Sequence, residues 1–199
     1  MNKNNNPTRD NFYKQTNNEN DPFNSCNVTM MTEGLDIGKY GLAPINGINC
    51  QYRQPEDKLR YFIENDPVVQ RFYRANFNTK TPAPEWAGVM VYAVNYLYGN
   101  KIVYYDENLT LEEIKEDLQK GLGIYTSMKY PENKNNAGKL SPIDGHIVLI
   151  VGINDNDDLI IDDPYKNHLT GGADGFNNIY TLKEFYKHNK GYAIRYKKA

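Results

Sequence analysis

The residues of this chain that could carry out covalent chemistry are few. Its 199 residues include two cysteines and three histidines. A catalytic cysteine needs a neighbouring base that holds it as a thiolate, and the base needs a hydrogen-bond partner that fixes its ring. Cys26 stands at the start of an apolar run in the stretch SCNVTMM, and His146 opens the apolar run GHIVLIVGI. Chemistry by this pair requires elements that bring Cys26 to His146.

His146 begins the first of two strand-like runs that predict a β-hairpin. GHIVLIVGI and DDLIIDDPY are joined by NDND, a composition typical of a hairpin turn. Because the start of one hairpin strand lies opposite the end of the other, His146 should lie near Asp162 and Asp163. Side chains alternate along a strand, so only one of the two aspartates can face the histidine. The local pattern does not choose between them.

Cys26 is predicted to lie at or near the N-terminus of a helix. The run CNVTMMTEGLDI has apolar residues at intervals of about three and four, which favours a helix over a strand. Asn24 or Ser25 would cap its first turn. A helix N-terminus and a neighbouring histidine both favour the thiolate form of a cysteine.

The remaining patterns predict helices first and mostly antiparallel strands afterwards, which is an α+β organisation. Residues 1–11 are Asn-rich and are expected to form a disordered arm, and residues 12–199 a single domain. Further helices are predicted in EDKLRYFIEN, in VVQRFYRANF, from about Pro84, in LTLEEIKEDLQKGLG with a capping box of Thr110 and Glu113, and in NNIYTLKEFYKHN. Strands are predicted in GIYTSMKY and GYAIRYKK, and a turn-rich insertion in PENKNNAGKLSPIDG.

Composition excludes several classes of function. The net charge of −2 gives no electrostatic basis for binding nucleic acid. Two cysteines are too few for a disulfide scaffold or a multi-cysteine metal site, although a single Cys26–Cys50 bridge stays open. Neither a signal peptide nor an apolar run of about 20 residues is present, so we expect a protein that is cytoplasmic as synthesised, without membrane insertion. We expect no cofactor and no metal, and a solvated Asp-rich turn at residues 154–158 in preference to a calcium site.

The order Cys26, His146, Asp163 resembles that of papain-like cysteine peptidases. More narrowly, the chain resembles the bacteriocin-processing (double-glycine leader) peptidases and their free-standing relatives. The resemblance is carried by FYKQTNNEN, NSCNVTMM, LEEIKEDLQKGLGIYTSM, GHIVLIVGI and LIIDDPY. It implies a papain-like fold whose N-terminal helical part carries the cysteine and whose C-terminal antiparallel sheet carries the histidine and aspartate. It covers roughly residues 12–35 and 110–165, and leaves an elaborated segment at about 36–109.

The resemblance also implies the roles of four residues. Cys26 would be the nucleophile, His146 the general acid and base, and Asp163, rather than Asp162, the residue that orients the histidine ring. Gln15 would help to form the oxyanion hole. Asn27 departs from the glycine that the family often has after the cysteine, and Asn-Val-Thr is more similar to a free-standing, phage-like subgroup. Cys50 is expected to be structural or a bystander, and His168 and His188 to lie at the surface.

The function expected from this resemblance is that of a cysteine peptidase acting on a bacterial substrate. Peptidoglycan stem or bridge peptides, as for a phage lysin-like endopeptidase associated with the virion or released to the cell wall, are the first expectation. A glycine-rich leader peptide is the second. Two alternatives stay open: a catalytically silent papain-like binding module such as a phage tail component, and a transglutaminase-like enzyme that transfers the acyl group. The sequence leaves the oligomeric state open.

Overall fold

A computed structural model describes residues 1–77, 87–134 and 140–198 of the chain. The helices within these ranges are α1 Cys26–Ile37, α2 Ala43–Asn46, α3 Pro55–Asn65, α4 Pro67–Phe77, α5 Ala87–Leu97, α6 Leu111–Gln119 and α7 Leu182–His188. The strands are β1 Lys3–Asn4, β2 Val103–Asp106, β3 Ile124–Lys134, β4 Leu140–Ile153, β5 Leu159–Asp162, β6 Asn178–Tyr180 and β7 Asn189–Tyr196. The predicted α+β class is confirmed, and it is compatible with a papain-like fold.

One antiparallel sheet organises the molecule. Its strands follow the order β2-β7-β3-β4-β5-β6, and the short β1 pairs with β4. Each face of the sheet buries a separate apolar cluster because side chains alternate along the strands. On one face, Leu149 of β4 packs with Val28 of α1 and with residues of α3 to α5. On the other face, Val148 packs with residues of α6 and with Phe185 of α7.

Several predicted elements are confirmed. The helix that begins at Cys26 is α1, and the predicted hairpin is formed by β4 and β5. The predicted capping box is present at α6, where the Thr110 side chain accepts from the Glu113 amide and the Glu113 side chain accepts from the Thr110 amide. The segment 36–109, expected to be an elaboration, supplies α2 to α5 and β2. The predicted helix start near Pro84 lies outside the described residues.

Two regions differ from their predictions. Residues 1–11 were expected to be a disordered arm, yet Lys3 and Asn4 pair with β4, and the fully buried Asn6 donates to Glu33 and Asp162. Asparagine side chains that find buried acceptors order a segment which its composition alone marks as disordered. The expected turn-rich insertion instead lengthens β3 and β4, which pair as far as Lys134 and Leu140. Residues 135–139 lie outside the description.

Helix length is modest throughout. The longest of the helices given above, α1, has 12 residues. Within the described ranges, no helix combines the length and the apolar character that crossing a membrane requires.

Candidate active site

Cys26 is the first residue of α1. The preceding Ser25 is the N-cap residue, although its side chain makes no capping hydrogen bond. The first backbone N–H groups of a helix have no intrahelical partner, so the Cys26 amide can donate to a bound group. Cys26 is half-buried, and both it and Cys50 are free thiols. The Cys26–Cys50 bridge that the sequence left open is therefore not formed.

A β-bulge places His146. On β3, Met128 and Lys129 pair with His146 and Asp144, so Gly145 is the extra residue on β4. Gly145 has φ +81°, a left-handed conformation that glycine adopts without strain. Bulges of this kind bend the strand and change the direction of the next side chain. The His146 side chain is 7% exposed and lies close enough to Cys26 for the cysteine to help raise the histidine pKa.

Asp163 directly follows β5 and holds the far side of the His146 ring. Its Oδ1 lies 2.8 Å from His146 Nε2 and also accepts from the backbone amides of Tyr165 (3.0 Å) and Lys166 (3.2 Å). The Asp163 side chain is fully buried. His146 and Asp163 are therefore joined by a buried hydrogen bond, and the half-buried Cys26 lies near the histidine and is the most accessible of the three.

Gly175 supports Asp163 from behind. The Asp163 amide donates to the Gly175 carbonyl at 2.8 Å. A Cβ atom at position 175 would lie 1.9 Å from the Asp163 carbonyl oxygen. Only glycine allows the two backbones to approach so closely.

Electrostatics at this site favour a charged histidine beside a charged aspartate. Burial alone lowers the pKa of His146, but the charge and hydrogen bond of Asp163, together with Cys26, outweigh it and raise that pKa to about 10. Burial likewise opposes ionisation of Asp163, and its contacts with His146 and His168 hold its pKa well below the usual range. A pKa of about 10 means that the ring of His146 is protonated at neutral pH.

The other aspartate of the pair, Asp162, has different partners. It is fully buried and accepts from Asn6 Nδ2 at 2.7 Å and from the Asn177 amide at 2.6 Å, and Asn6 Nδ2 also donates to Glu33 of α1 at 3.2 Å. Burial is the main cause that raises the pKa of both Asp162 and Glu33, and the negative charge of Asp162 raises that of Glu33 further. The structure thus places Asp163, and not Asp162, beside His146.

Gln15 belongs to a 3-10 turn, Gln15–Asn17, that is attached to the Asp163 loop. Its backbone amide donates to the carbonyl of Pro164 at 3.0 Å. The side chain is buried; Nε2 donates to the Pro22 carbonyl at 3.1 Å, and Oε1 has no hydrogen-bond partner among the described atoms. Since a side-chain amide has two N–H groups, the bond to Pro22 leaves one of them for a further acceptor.

The loop between Gln15 and Cys26 is fixed by the first turns of α3. Asp57 accepts from the backbone amides of Glu19 at 2.7 Å and Asn20 at 3.0 Å. Arg60 pairs with Asp21 at 3.2 Å. These contacts attach α3 to the loop that leads into the cysteine helix.

His168 and His188 were expected at the surface, and this expectation is wrong for both. His168 Nδ1 lies 2.6 Å from Asp163 Oδ2, and the His168 side chain is 1% exposed. His188 is buried and its Nδ1 lies 3.0 Å from the Lys129 carbonyl. A signal for His168 was present in the sequence, because a histidine five positions after Asp163 is within reach of a short loop that folds back.

Hydrogen bonds, rather than a bound metal ion, account for the cluster formed by His146, Asp163 and His168. Among the described residues, His146, Asp163 and His168 are the one group with three ligand atoms within 4.8 Å of one another. His146 Nε2 and His168 Nδ1 each already form a hydrogen bond with a carboxylate oxygen of Asp163. In the Asp-rich turn, Asn154 Oδ1 accepts from the amides of Asn156 and Asp158, and Asp157 pairs with Lys115 at 2.9 Å. These contacts favour a solvated turn over a calcium site.

A comparison with protein-family models places the chain in a known family. The family model described as "Peptidase_C39 like family" matches residues 10–194, a range that includes Gln15, Cys26, His146 and Asp163. None of the curated proteins matches the chain.

Proposed function

Because the chain belongs to the Peptidase_C39 like family, we propose that it is a cysteine peptidase that cleaves peptide bonds with Cys26 as nucleophile. Family membership indicates a cysteine peptidase in general terms. The observation that most strongly supports Cys26 as nucleophile is its place at the start of α1 near His146, whose ring is hydrogen-bonded to the buried Asp163. Cys50 has no histidine partner of this kind among the described contacts, and its sulfur lies 4.0 Å from the Tyr52 carbonyl.

In the proposed acylation step, the Cys26 sulfur attacks the carbonyl carbon of the peptide bond, and the electron pair of the C=O bond moves to oxygen. The backbone N–H of Cys26 and the second N–H of the Gln15 amide would stabilise this oxyanion, each contributing about 3 kcal/mol as in comparable sites. His146 then gives its proton to the leaving nitrogen as the C–N bond breaks. A thioester on Cys26 and a free amine result.

In the proposed deacylation step, neutral His146 removes a proton from water. The resulting hydroxide attacks the thioester carbon, the C–S bond breaks, and the carboxylic acid product leaves Cys26 as a thiolate. His146 again carries a proton, and Asp163 stays ionised throughout while it orients the ring. No cofactor takes part in either step.

We further propose that the substrate is a peptide of bacterial origin, with peptidoglycan stem or bridge peptides ahead of a glycine-rich leader. The support for this order is the Asn-Val-Thr sequence after Cys26, which is more similar to a free-standing, phage-like subgroup than to transporter-linked relatives. Association with a phage virion or release to the cell wall belongs to the same proposal.

The test uses wild type, Cys26→Ser and the matched control Cys50→Ser. Each is incubated with purified bacterial cell walls, with stem and bridge peptides and with double-glycine leader peptides, and new amino termini are identified by mass spectrometry. We expect cleavage by wild type and Cys50→Ser and none by Cys26→Ser. An added primary amine that appears in the product would reveal acyl transfer. Failure of wild type to cleave, together with equal alkylation rates of Cys26 and Cys50, would leave a silent binding module.

A further inference from the structure

We propose that His168 is a positioning residue that fixes the Asp163 carboxylate from the side opposite His146. This inference rests on the proposed function and adds a second histidine to Cys26, His146 and Asp163. His168 does not contact the thiol in this arrangement and acts through Asp163.

The two histidines divide the two carboxylate oxygens of Asp163 between them. His146 Nε2 lies 2.8 Å from Oδ1, and His168 Nδ1 lies 2.6 Å from Oδ2. The amides of Tyr165 and Lys166 also donate to Oδ1, so His168 is the one described donor on Oδ2. Removing it would leave a fully buried carboxylate oxygen without a partner, and the carboxylate free to turn away from His146.

The ring of His168 is itself held in place. Tyr130 stacks on it with ring centroids 4.8 Å apart and an interplanar angle of 14°. The Tyr130 hydroxyl lies 2.9 Å from the hydroxyl of Tyr180 on β6, so the stacking ring is also fixed. A side chain that packing and a further hydrogen bond lock in this way can hold a catalytic group to within a fraction of an ångström.

A neutral His168 suits this task. Burial is the main cause that lowers the pKa of His168, and His146 and Lys166 act in the same direction, while Asp163 opposes them. Neutral imidazole carries one N–H, and the contact with Oδ2 places it on Nδ1. His168 therefore donates a hydrogen bond to Asp163 without a second positive charge that would compete with protonated His146.

The test compares His168→Leu with His168→Asn. Both replacements remove the imidazole ring and have nearly the same shape, but asparagine keeps an N–H group at the position of Nδ1. Three quantities are measured for each variant and for wild type: the alkylation rate of Cys26 relative to Cys50, kcat and KM on a cleaved peptide, and the urea midpoint of unfolding.

We expect His168→Leu to lower the Cys26 alkylation rate and kcat by about tenfold or more, since a buried acceptor loses its only donor. His168→Asn should retain both within about threefold, with KM unchanged and a urea midpoint above that of His168→Leu, because asparagine still donates to Asp163 Oδ2. Equal losses in the two variants, or wild-type rates in His168→Leu, would overturn the inference. If Cys26 of wild type reacts no faster than Cys50, the proposed function fails first, and this inference fails with it.

A measurement on the wild-type protein tests the inference even if the His168 variants do not fold. In protein labelled with ¹⁵N-histidine, His168 should be neutral with its proton on Nδ1, while His146 carries protons on both nitrogens at pH 7. A His168 proton on Nε2, or a charged His168, would contradict the inference without the use of any mutation.

Discussion

Replacing Glu33 with glutamine is expected to stabilise the protein by an amount that grows as the pH rises. Glu33 is fully buried and lies against Asp162, with Asn6 Nδ2 at 3.2 Å and the Tyr13 amide at 3.1 Å from its oxygens. Its burial and the charge of Asp162 raise its pKa well above the usual value of 4.5. Glu33 therefore keeps its proton in the folded protein at pH values where it ionises in the unfolded chain.

The size of the effect follows from proton linkage. The folded state binds one proton more than the unfolded state between pH 4.5 and the raised pKa of Glu33, so the free energy of unfolding falls by about 1.4 kcal/mol per pH unit in that window. This stability is fully present below pH 4.5 and is lost as the pH rises towards the raised pKa. At pH 7 the loss amounts to at most about 3.5 kcal/mol. Glutamine stays neutral and can still donate to Asp162, so the variant avoids this loss.

The assay is urea unfolding of wild type and Glu33→Gln at pH 5, 6, 7 and 8. The difference in free energy of unfolding between the two proteins should grow in favour of the variant along the series. Glu107→Gln removes an exposed carboxylate and should follow wild type at every pH. A difference between wild type and Glu33→Gln that stays constant across the series would refute a protonated Glu33.

Three further predictions concern the active site. Gly175→Ala should destabilise the protein by about 2 kcal/mol or more and abolish cleavage, because its Cβ would lie 1.9 Å from the Asp163 carbonyl oxygen. The control Gly47→Ala, whose Cβ would have its nearest contact at 3.3 Å, should cleave at near the wild-type rate; both variants are compared by urea unfolding and by the cleavage assay. Asp163→Asn should lower kcat by at least about 100-fold while Asp162→Asn lowers it far less, and equal losses would contradict the assignment of the two aspartates. Cleavage should decline as the pH rises through about 10, because His146 then loses the proton that the leaving amine requires, and a pH–rate profile that stays flat to pH 11 would contradict that role.

Local patterns were sufficient to predict much of the fold. The apolar spacing after Cys26 predicted α1, and the Thr110 and Glu113 pair predicted the start of α6, because both signals depend on residues within one or two turns. The NDND turn predicted the β4–β5 hairpin and with it the approach of His146 to the end of β5. Information of this kind is contained in short segments and needs no knowledge of packing.

The choice between Asp162 and Asp163 could not be made in this way, because it depends on a bulge. If the pairing of β4 with β5 continued regularly from the turn, Leu149 would pair with Asp163. Asp162 would then lie on the same face of the sheet as His146. In the structure Ile150 and Gly152 pair with consecutive residues of β5, so the register shifts by one and Leu149 pairs with Asp162. A one-residue shift moves every following side chain to the other face. Only the resemblance to a known family selected Asp163 from the sequence.

Contacts between distant segments account for what the sequence did not predict. Asn6 is ordered by Glu33 and Asp162, which are far from it along the chain. His168 is buried because Tyr130, on another strand, stacks on its ring. No local pattern predicts the burial of Asn6, since asparagine is mostly exposed, and for His168 the sequence offered only its short distance from Asp163.

Asp162 and Asp163 together help to explain why Cys26 lies near His146. Cys26 and Glu33 are seven residues apart on α1, which places them on one face of the helix and about 10 Å apart. On β4, His146 and Leu149, the partner of Asp162, are also separated by about 10 Å. The spacing of Cys26 and Glu33 along α1 therefore matches the spacing of His146 and Leu149 along β4. Because Glu33 and Asp162 are fully buried and both accept from the Asn6 side chain, their contact helps to fix the position of α1 along the sheet. A loss of the Glu33–Asp162 contact should thus displace the thiol from His146 without any change in the catalytic residues themselves.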